Sequence, residues 1–433
     1  MKLHPLLPIA GLLLAMPVWA VPACPLPGGE LSLAQVVDLA LCNNPATRSA
    51  RANVAGQEAQ VDIASGAYWP TVSANVGASR QYADGSARAS TSTNQYSAGA
   101  SVNYLLYDGG ARDAREDAAR RTLEAVLATQ ETTVQTVLLS AVSAFYQLQG
   151  AQAVRQSAAT SEAQARQNLL AAEARYQAGS ATPLDRLQAQ TAVSQAVLTR
   201  INTEGEVRNQ QAALAQALGL SAATEVNLVP AVVADAPSGA GVQELIDQAL
   251  RQRADLRAAQ ARVAAARANI EQTRASDSPT VSLSANQNLA RSQPGSSTYG
   301  TSFGVQLSIP IFSGFVPRNQ LRVAQASLAS VEAERDRLML AISQEVVRAH
   351  NSVQTTSQSW QASRDLLAAA MRAHEVAKKR YEAGAGSYLD LQSAQTQFDG
   401  ARAQEIQSRF NWQIARFTLA QAVGVLNKQT VEQ

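Results

Sequence analysis

The sequence predicts a mainly α-helical chain carrying four β-strands, built as two copies of one unit: helix, β-hairpin, long helix, return helix. Three observations predict it. The stretch Arg175-Tyr176-Gln177-Ala178-Gly179 with Leu184-Asp185 recurs as Arg380-Tyr381-Glu382-Ala383-Gly384 with Leu389-Asp390, at a constant offset of 205 that still holds at Gly219 and Gly424. Two stretches, 111–178 and 318–383, contain no proline and between them a single glycine, Gly150. In front of each, the hydrophobic period changes from helical to strict alternation.

The repeat also reaches upstream. Val36-Val37-Asp38 is echoed by Leu245-Ile246-Asp247, and Pro70-Thr71-Val72-Ser73 by Pro279-Thr280-Val281-Ser282, now at an offset of 209. The offset falls to 205 by Tyr107 against Phe312, so the second copy loses four residues within one segment, read as a hairpin with a shorter tip.

Taken in order, residues 1–20 read as a secretory signal peptide: Lys2, an apolar stretch from Leu6 to Ala15, and Val18-Trp19-Ala20 at the cleavage site. Lipidation at Cys24 is the rival reading, and the proline in Val21-Pro22-Ala23 counts against it. Cys24 and Cys42, the two cysteines of the chain, form a disulfide candidate in an oxidising compartment, and two cysteines without nearby histidines do not make a zinc site. The first repeat spans 21–219. Ser32 caps a short helix over 33–41, and Asn43-Asn44-Pro45 breaks it before a helix over 45–68.

Strands follow at about 70–80 and 96–107, around a polar loop from Tyr82 to Asn94. Val72, Ala74, Val76 and Ala78 alternate with Ser73, Asn75, Gly77 and Ser79. The long helix, 111–178, would extend roughly 100 Å at about 1.5 Å per residue. Within it Val134, Leu138, Ala141, Phe145 and Leu148 step by 4, 3, 4 and 3, as in a coiled-coil seam. Gly179 suits a left-handed helix end, Thr182 the cap and Pro183 the first turn of a return helix over 183–218. Residues 220–241, with two prolines and two glycines, link the copies as a linker or equatorial region. The second repeat, 242–424, gives helices at 242–276, 318–383 and 388–423 and strands at 279–289 and 299–311. Residues 425–433 read as a tail.

Composition narrows the function. A net charge of +2 supplies no polycation for nucleic acid. Aromatic residues make up 5%, and alanine-rich sequence favours long, closely packed helices over a bulky core. Mean hydropathy is −0.13, and beyond residue 20 no run of 18 apolar residues offers a transmembrane helix. The histidines lie apart at positions 4, 350 and 374, and no glycine-rich phosphate loop precedes a helix, so no enzyme, metal site or cofactor is expected. The strands fit two readings. Four alternating strands on their own suit a half-buried hairpin pair of a soluble domain. Their length, aromatic ends (Tyr68-Trp69, Tyr104, Tyr107) and the signal peptide suit a membrane barrel, which requires several chains because lipid tolerates no open edge.

The two tip motifs, together with the junctions 106–110 (Leu106-Tyr107-Asp108-Gly109-Gly110) and 311–315 (Ile311-Phe312-Ser313-Gly314-Phe315), resemble the TolC-like outer membrane efflux protein family, over about 31–426. The resemblance implies a homotrimer in the outer membrane of a Gram-negative bacterium. Its two hairpins per chain would close a 12-stranded barrel among outer-membrane lipid, and its helices would form a long periplasmic tunnel. Such a channel has no catalytic chemistry. It is the exit duct for an inner-membrane transporter, joined by a periplasmic adaptor. Small-molecule efflux is favoured over type I protein secretion, with a structural periplasmic coiled-coil scaffold as the alternative of another class. By position, Gly179, Ser180, Ala181, Thr182, Gly384, Ala385, Gly386 and Ser387 become adaptor-facing. Asp185, Tyr381 and Asp390 become gate residues. Two departures weaken the gate: an arginine of some members falls at Gly386, and a second inward acid falls at Ser393. Asp185 and Asp390 are equally suited to being first-turn acids of their helices.

Overall fold

A computed structural model describes residues 24–25, 28–85, 88–230 and 241–432. The expected signal peptide, 1–20, and residues 231–240 of the linker lie outside the described residues. The element order is α1 (Leu33–Asn43), α2 (Pro45–Gly66), β1 (Thr71–Gly85), β2 (Arg88–Tyr107), α3 (Ala111–Gln177), α4 (Pro183–Ala217), α5 (Val242–Gln252), α6 (Ala254–Ala275), β3 (Thr280–Gln293), β4 (Ser297–Ser308), α7 (Val316–Glu382), α8 (Tyr388–Val423) and α9 (Lys428–Glu432). Helices α3 and α7 each run 67 residues unbroken. At about 1.5 Å per residue that is roughly 100 Å. Among the described residues no helix is long and apolar enough to cross a membrane.

One expectation needs correction. The sequence predicts a single helix over 242–276, but α5 and α6 meet at Arg253, whose backbone is extended (φ −63°, ψ 129°). Asn44 at the α1–α2 break has nearly the same dihedrals (φ −62°, ψ 129°) and is its repeat mate. The reason lies in what each side chain does. The Asn44 amide donates to the Ala217 carbonyl at 2.9 Å, and Arg253 Nη1 to the Ala422 carbonyl at 3.0 Å, which are matching positions at the ends of α4 and α8. Two chemically different side chains thus satisfy the same orphan carbonyl of a return helix. In the first copy Pro45 advertises the break; in the second no proline does.

The main core surrounds the middle of α3. Leu138, Ala141, Phe145 and Leu148 of the seam are buried there with Val36 and Val37 of α1, Leu214 and Leu218 at the C-terminal end of α4, and Phe410 of α8; Val134 packs at its margin. Gly150 lets Phe410 approach, since a Cβ there would lie 3.2 Å from that ring. Helix α3 packs against α2 and α6 towards the sheet and against α4 and α8 away from it, while α7 packs on α6 and α8. The helices therefore stand side by side as a wall, α4–α3–α8–α7 in the lower half. Trp360 and Trp412 stack at 4.9 Å across α7 and α8.

The tail is also corrected. Leu426 is 1% exposed within the main core, Val431 of α9 is buried, and Lys428 pairs with Asp38 at 2.6 Å. At the other end Cys24 is joined to Cys42, with Cα atoms 6.1 Å apart. The Asn43 side chain grips the Cys24 backbone on both sides, accepting from its N–H at 2.8 Å and donating to its carbonyl at 3.0 Å. Leu31 then pairs in parallel with Leu228 of the linker.

The strands form one antiparallel sheet in the order β1-β2-β3-β4. Both hairpins pair further towards their tips than the sequence predicts: β1 and β2 keep one register through Tyr82↔Ser92 to Ala83↔Thr91 and, after a register shift, pair again at Gly85↔Arg88, so most of the expected 82–94 loop is ladder, while β4 ends at Ser308 rather than 311. Aligned rows alternate across all four strands. Val72, Val102, Ala285 and Phe303 make one row, and Ser73, Ser101, Asn286 and Ser302 the next. One face of the sheet is therefore apolar, apart from Gln287 and Thr301 in the row of Ala74 and Ala100, and the other polar. The apolar face is open: Val76 is 86% exposed and Phe303 80%.

Candidate functional site

The end of the wall farthest from the sheet holds both repeats of the tip motif. Each long helix stops in the same way. Gly179 (φ +72°) and Gly384 (φ +71°) take the left-handed conformation, with Ser180 N–H donating to the Arg175 carbonyl at 2.9 Å and Ala385 N–H to the Arg380 carbonyl at 2.8 Å. These are Schellman ends, which glycine adopts without a Cβ penalty. Each return helix then starts in a capping box. Thr182 Oγ1 accepts from Asp185 N–H at 3.2 Å and the Asp185 carboxylate accepts from Thr182 N–H at 2.9 Å; Ser387 and Asp390 repeat this at 3.1 and 3.2 Å. Hydrogen bonds from Ser387, its hydroxyl first, hold the Asp390 carboxyl below its ordinary range.

Gly179, Ser180, Thr182, Gly384, Ala385 and Ser387 are exposed at this end, while Ala181 and Gly386 are half-buried. Asp390 is exposed and Asp185 half-buried. Tyr381 is buried, packed edge-on against Tyr388 at 5.8 Å in a small cluster with Ala172, Ala189 and Leu391. Burial, with a smaller contribution from Tyr381, pushes the Tyr388 phenol up to about 12. The Tyr381 hydroxyl is buried with no hydrogen-bond partner among the described residues, and the Asp185 carboxylate is engaged by Thr182. A single chain thus brings the three gate candidates to one end without bonding them to one another.

Residue-by-residue reading of the sequence missed the contact that joins the two tips. Arg175, in the last turn of α3, donates from Nη1 to the Tyr381 carbonyl at 2.8 Å and from Nη2 to the Glu382 carbonyl at 3.2 Å. Its guanidinium carbon lies 4.3 Å from the Tyr381 ring centroid. A cation here meets the negative end of α7 and the face of an aromatic ring together. Its repeat mate Arg380 instead turns back to the Ala385 carbonyl of its own loop at 3.2 Å. The recurrence of arginine was visible in sequence; its asymmetric use was not. Higher up, Glu162 of α3, 7% exposed, binds Arg166 at 2.5 Å and Arg200 of α4 at 2.6 Å. Ser161 donates to Asp399 of α8 at 2.6 Å beside a groove of about 400 Å³ between α3, α4 and α8.

The outer membrane efflux protein family model matches residues 36–220 and 245–425. The chain belongs to the outer membrane efflux protein family. The two matched segments coincide with the two structural copies. Protein CyaE of Bordetella pertussis is 32% identical over 94% of this chain and 88% of its own. The pyoverdine export outer membrane protein OpmQ of Pseudomonas putida is 28% identical over 90% and 85%. The Campylobacter jejuni CmeC outer membrane channel shares the fold at a TM-score of 0.79 and 16% identity, over 92% of this chain and 88% of its own. This outer membrane efflux protein is accordingly an outer-membrane export channel extending into the periplasm, and its family and fold are those of channels, not enzymes.

Proposed function

We propose that three copies of the chain assemble into one exit duct, which a periplasmic adaptor couples to an inner-membrane pump. The observation that carries this is the sheet. It has four strands, an apolar face, a polar face and two unpaired edges, β1 and β4. An unpaired edge in lipid costs several kcal/mol per backbone group. Joining β4 of one copy to β1 of the next removes both edges. Two copies would give eight strands, whose interior side chains fill the barrel, whereas three give twelve and leave a lumen. The polar rows then line water.

The tip is the gated end. Arg175 holds the two helical hairpins of one chain together. Asp185, Tyr381 and Asp390 are the residues of this gate, and the exposed turns 179–182 and 384–387 are where the adaptor docks. The relative OpmQ, named for export of the small molecule pyoverdine, supports small-molecule cargo.

Cysteines placed at Ser73 of β1 and Ser302 of β4, joined by a short bifunctional maleimide, test the assembly. The expected product is a covalent trimer and nothing larger. Monomers only, or an open-ended ladder, would reject ring closure. Deleting the protein from its host should raise susceptibility to small toxic solutes; loss of a secreted protein with unchanged susceptibility would move the cargo to polypeptides.

A further inference from the structure

We infer that the outer rim of the sheet carries a binding site for a phosphate-bearing lipid headgroup, built from Arg80 and Arg291. The inference rests on the reading of the sheet as membrane-spanning. Among the residues whose side chains are described in β1–β4, these two are the only charged ones. Both are arginines, both are exposed, and neither forms an ion pair among the described residues.

Register places both on the membrane face. Counting by two from Val72 on β1 passes Ala74, Val76 and Ala78 to Arg80. On β3, Ala285 shares the row of Val72, and Leu289 leads to Arg291, which pairs with Tyr96. Both lie towards the hairpin tips, the end opposite the helices and hence the outer leaflet. Val281 and Arg291 are ten residues apart; at about 3.4 Å each and a tilt of about 40°, Arg291 stands roughly 25 Å above Val281, about the height of an apolar barrel band. A guanidinium there leaves hydrocarbon and meets headgroups. Arg80 and Arg291 are two strands apart and one same-face step out of row, so their Cα atoms are roughly 12 Å apart, close enough for two long side chains to share one headgroup.

The surroundings fit a lipid. Tyr82, Tyr96 and Tyr299 are exposed on the same face at this height, as in an interfacial girdle. The Arg80 guanidinium sits 5.0 Å over the Tyr82 ring and donates to Ser92 Oγ at 3.5 Å, which holds it in the plane of the rim. Directly below, Val76, Ala78, Ala98, Leu289 and Tyr96 line a shallow groove of about 540 Å³ that ends at Arg291. Its apolar floor suits an acyl chain, and the arginine at its outer end suits the phosphate, which a guanidinium binds through paired N–H donors. An anion free in water would gain nothing from the groove.

The test uses the full assembled protein in phosphatidylcholine vesicles containing a minor fraction of either phosphatidic acid or diacylglycerol, with co-purifying lipid counted by native mass spectrometry. Wild type should retain phosphatidic acid over phosphatidylcholine by about thirtyfold, the order expected for two surface arginines, and show no preference for diacylglycerol. The R80Q/R291Q variant should lose the preference and R80K/R291K should keep part of it. Wild type without a preference, or a Gln variant that keeps it, overturns the site whether or not any other variant assembles. Full displacement by millimolar inorganic phosphate would make it an anion site and overturn the lipid assignment. Failure of wild type to insert would instead overturn the membrane reading beneath it.

Discussion

Arg175→Ala should unlatch the tip. The substitution removes two hydrogen bonds from a cation to the Tyr381 and Glu382 carbonyls and the stacking on the Tyr381 ring. At a half-exposed position water replaces part of each bond, so each contributes about 1 kcal/mol. The cation–π contact adds about 0.5–1 kcal/mol. The loss is then about 2–3 kcal/mol per chain, a shift of roughly 30- to 150-fold in the ratio of closed to open tips if the open tip lacks these contacts. Planar-bilayer recordings of single channels read this directly. Wild type should give a small, mostly closed conductance, and R175A a larger or more persistently open one. R175K, which can bond one carbonyl but stacks poorly, should fall between. Arg380→Ala supplies the control, because among the described residues the hydrogen bond of Arg380 stays within its own turn, to Ala385. If R175A and R380A behave alike, the clamp reasoning is wrong, and the tip is held by contacts between chains alone.

Phe145→Ala, at a residue 1% exposed in the main core, should cost about 3–5 kcal/mol and lower the thermal transition measured by circular dichroism. Cys42→Ser opens a loop closed by cysteines 18 residues apart and should cost about 3 kcal/mol, seen as a shifted transition that reductant no longer changes. The Asp390 carboxyl is held low by Ser387, so its contribution to the start of α8 is complete above the ordinary carboxylate range and is lost as pH falls through the depressed value. Amide exchange of Leu391 should therefore quicken at acid pH, relative to the middle of α8, in wild type. Asp390→Asn should abolish that pH dependence; an unchanged profile would detach the carboxylate from the cap.

Local rules made much of this molecule readable. The two tips are spelled out residue by residue, because a glycine after a long helix, a Thr or Ser cap and an acid three positions on form hydrogen bonds within a few residues of one another. The alternating strands were equally plain, since period 2 is a property of the strand itself. Where the signal depended on a distant partner, the sequence fell silent. It predicted one helix over 242–276 because nothing near Arg253 breaks a helix; the break exists because Arg253 reaches the Ala422 carbonyl across 169 positions. It predicted a tail after Gly424, although Leu426 is drawn into the core that α1 and α3 leave open.

The site divides along the same line. The turn and cap geometry of Gly179, Gly384, Thr182, Ser387, Asp185 and Asp390 was legible because those hydrogen bonds are local. Arg175 and Arg380 are indistinguishable as letters in a repeat. Only packing decides that one grips the opposite tip while the other closes its own turn. The strand sequences could say that one face is apolar; only the register across β1, β2 and β3 put Arg80 and Arg291 on that face near the hairpin tips, one step apart. Sequence by itself determined the duplication, the long helices and their returns, the alternating strands and the tip turns, because backbone hydrogen bonding and hydrophobic period act over a few residues. Tertiary structure decided which repeat-equivalent side chains diverge in use, because that depends on neighbours some 200 positions away whose approach no local pattern encodes.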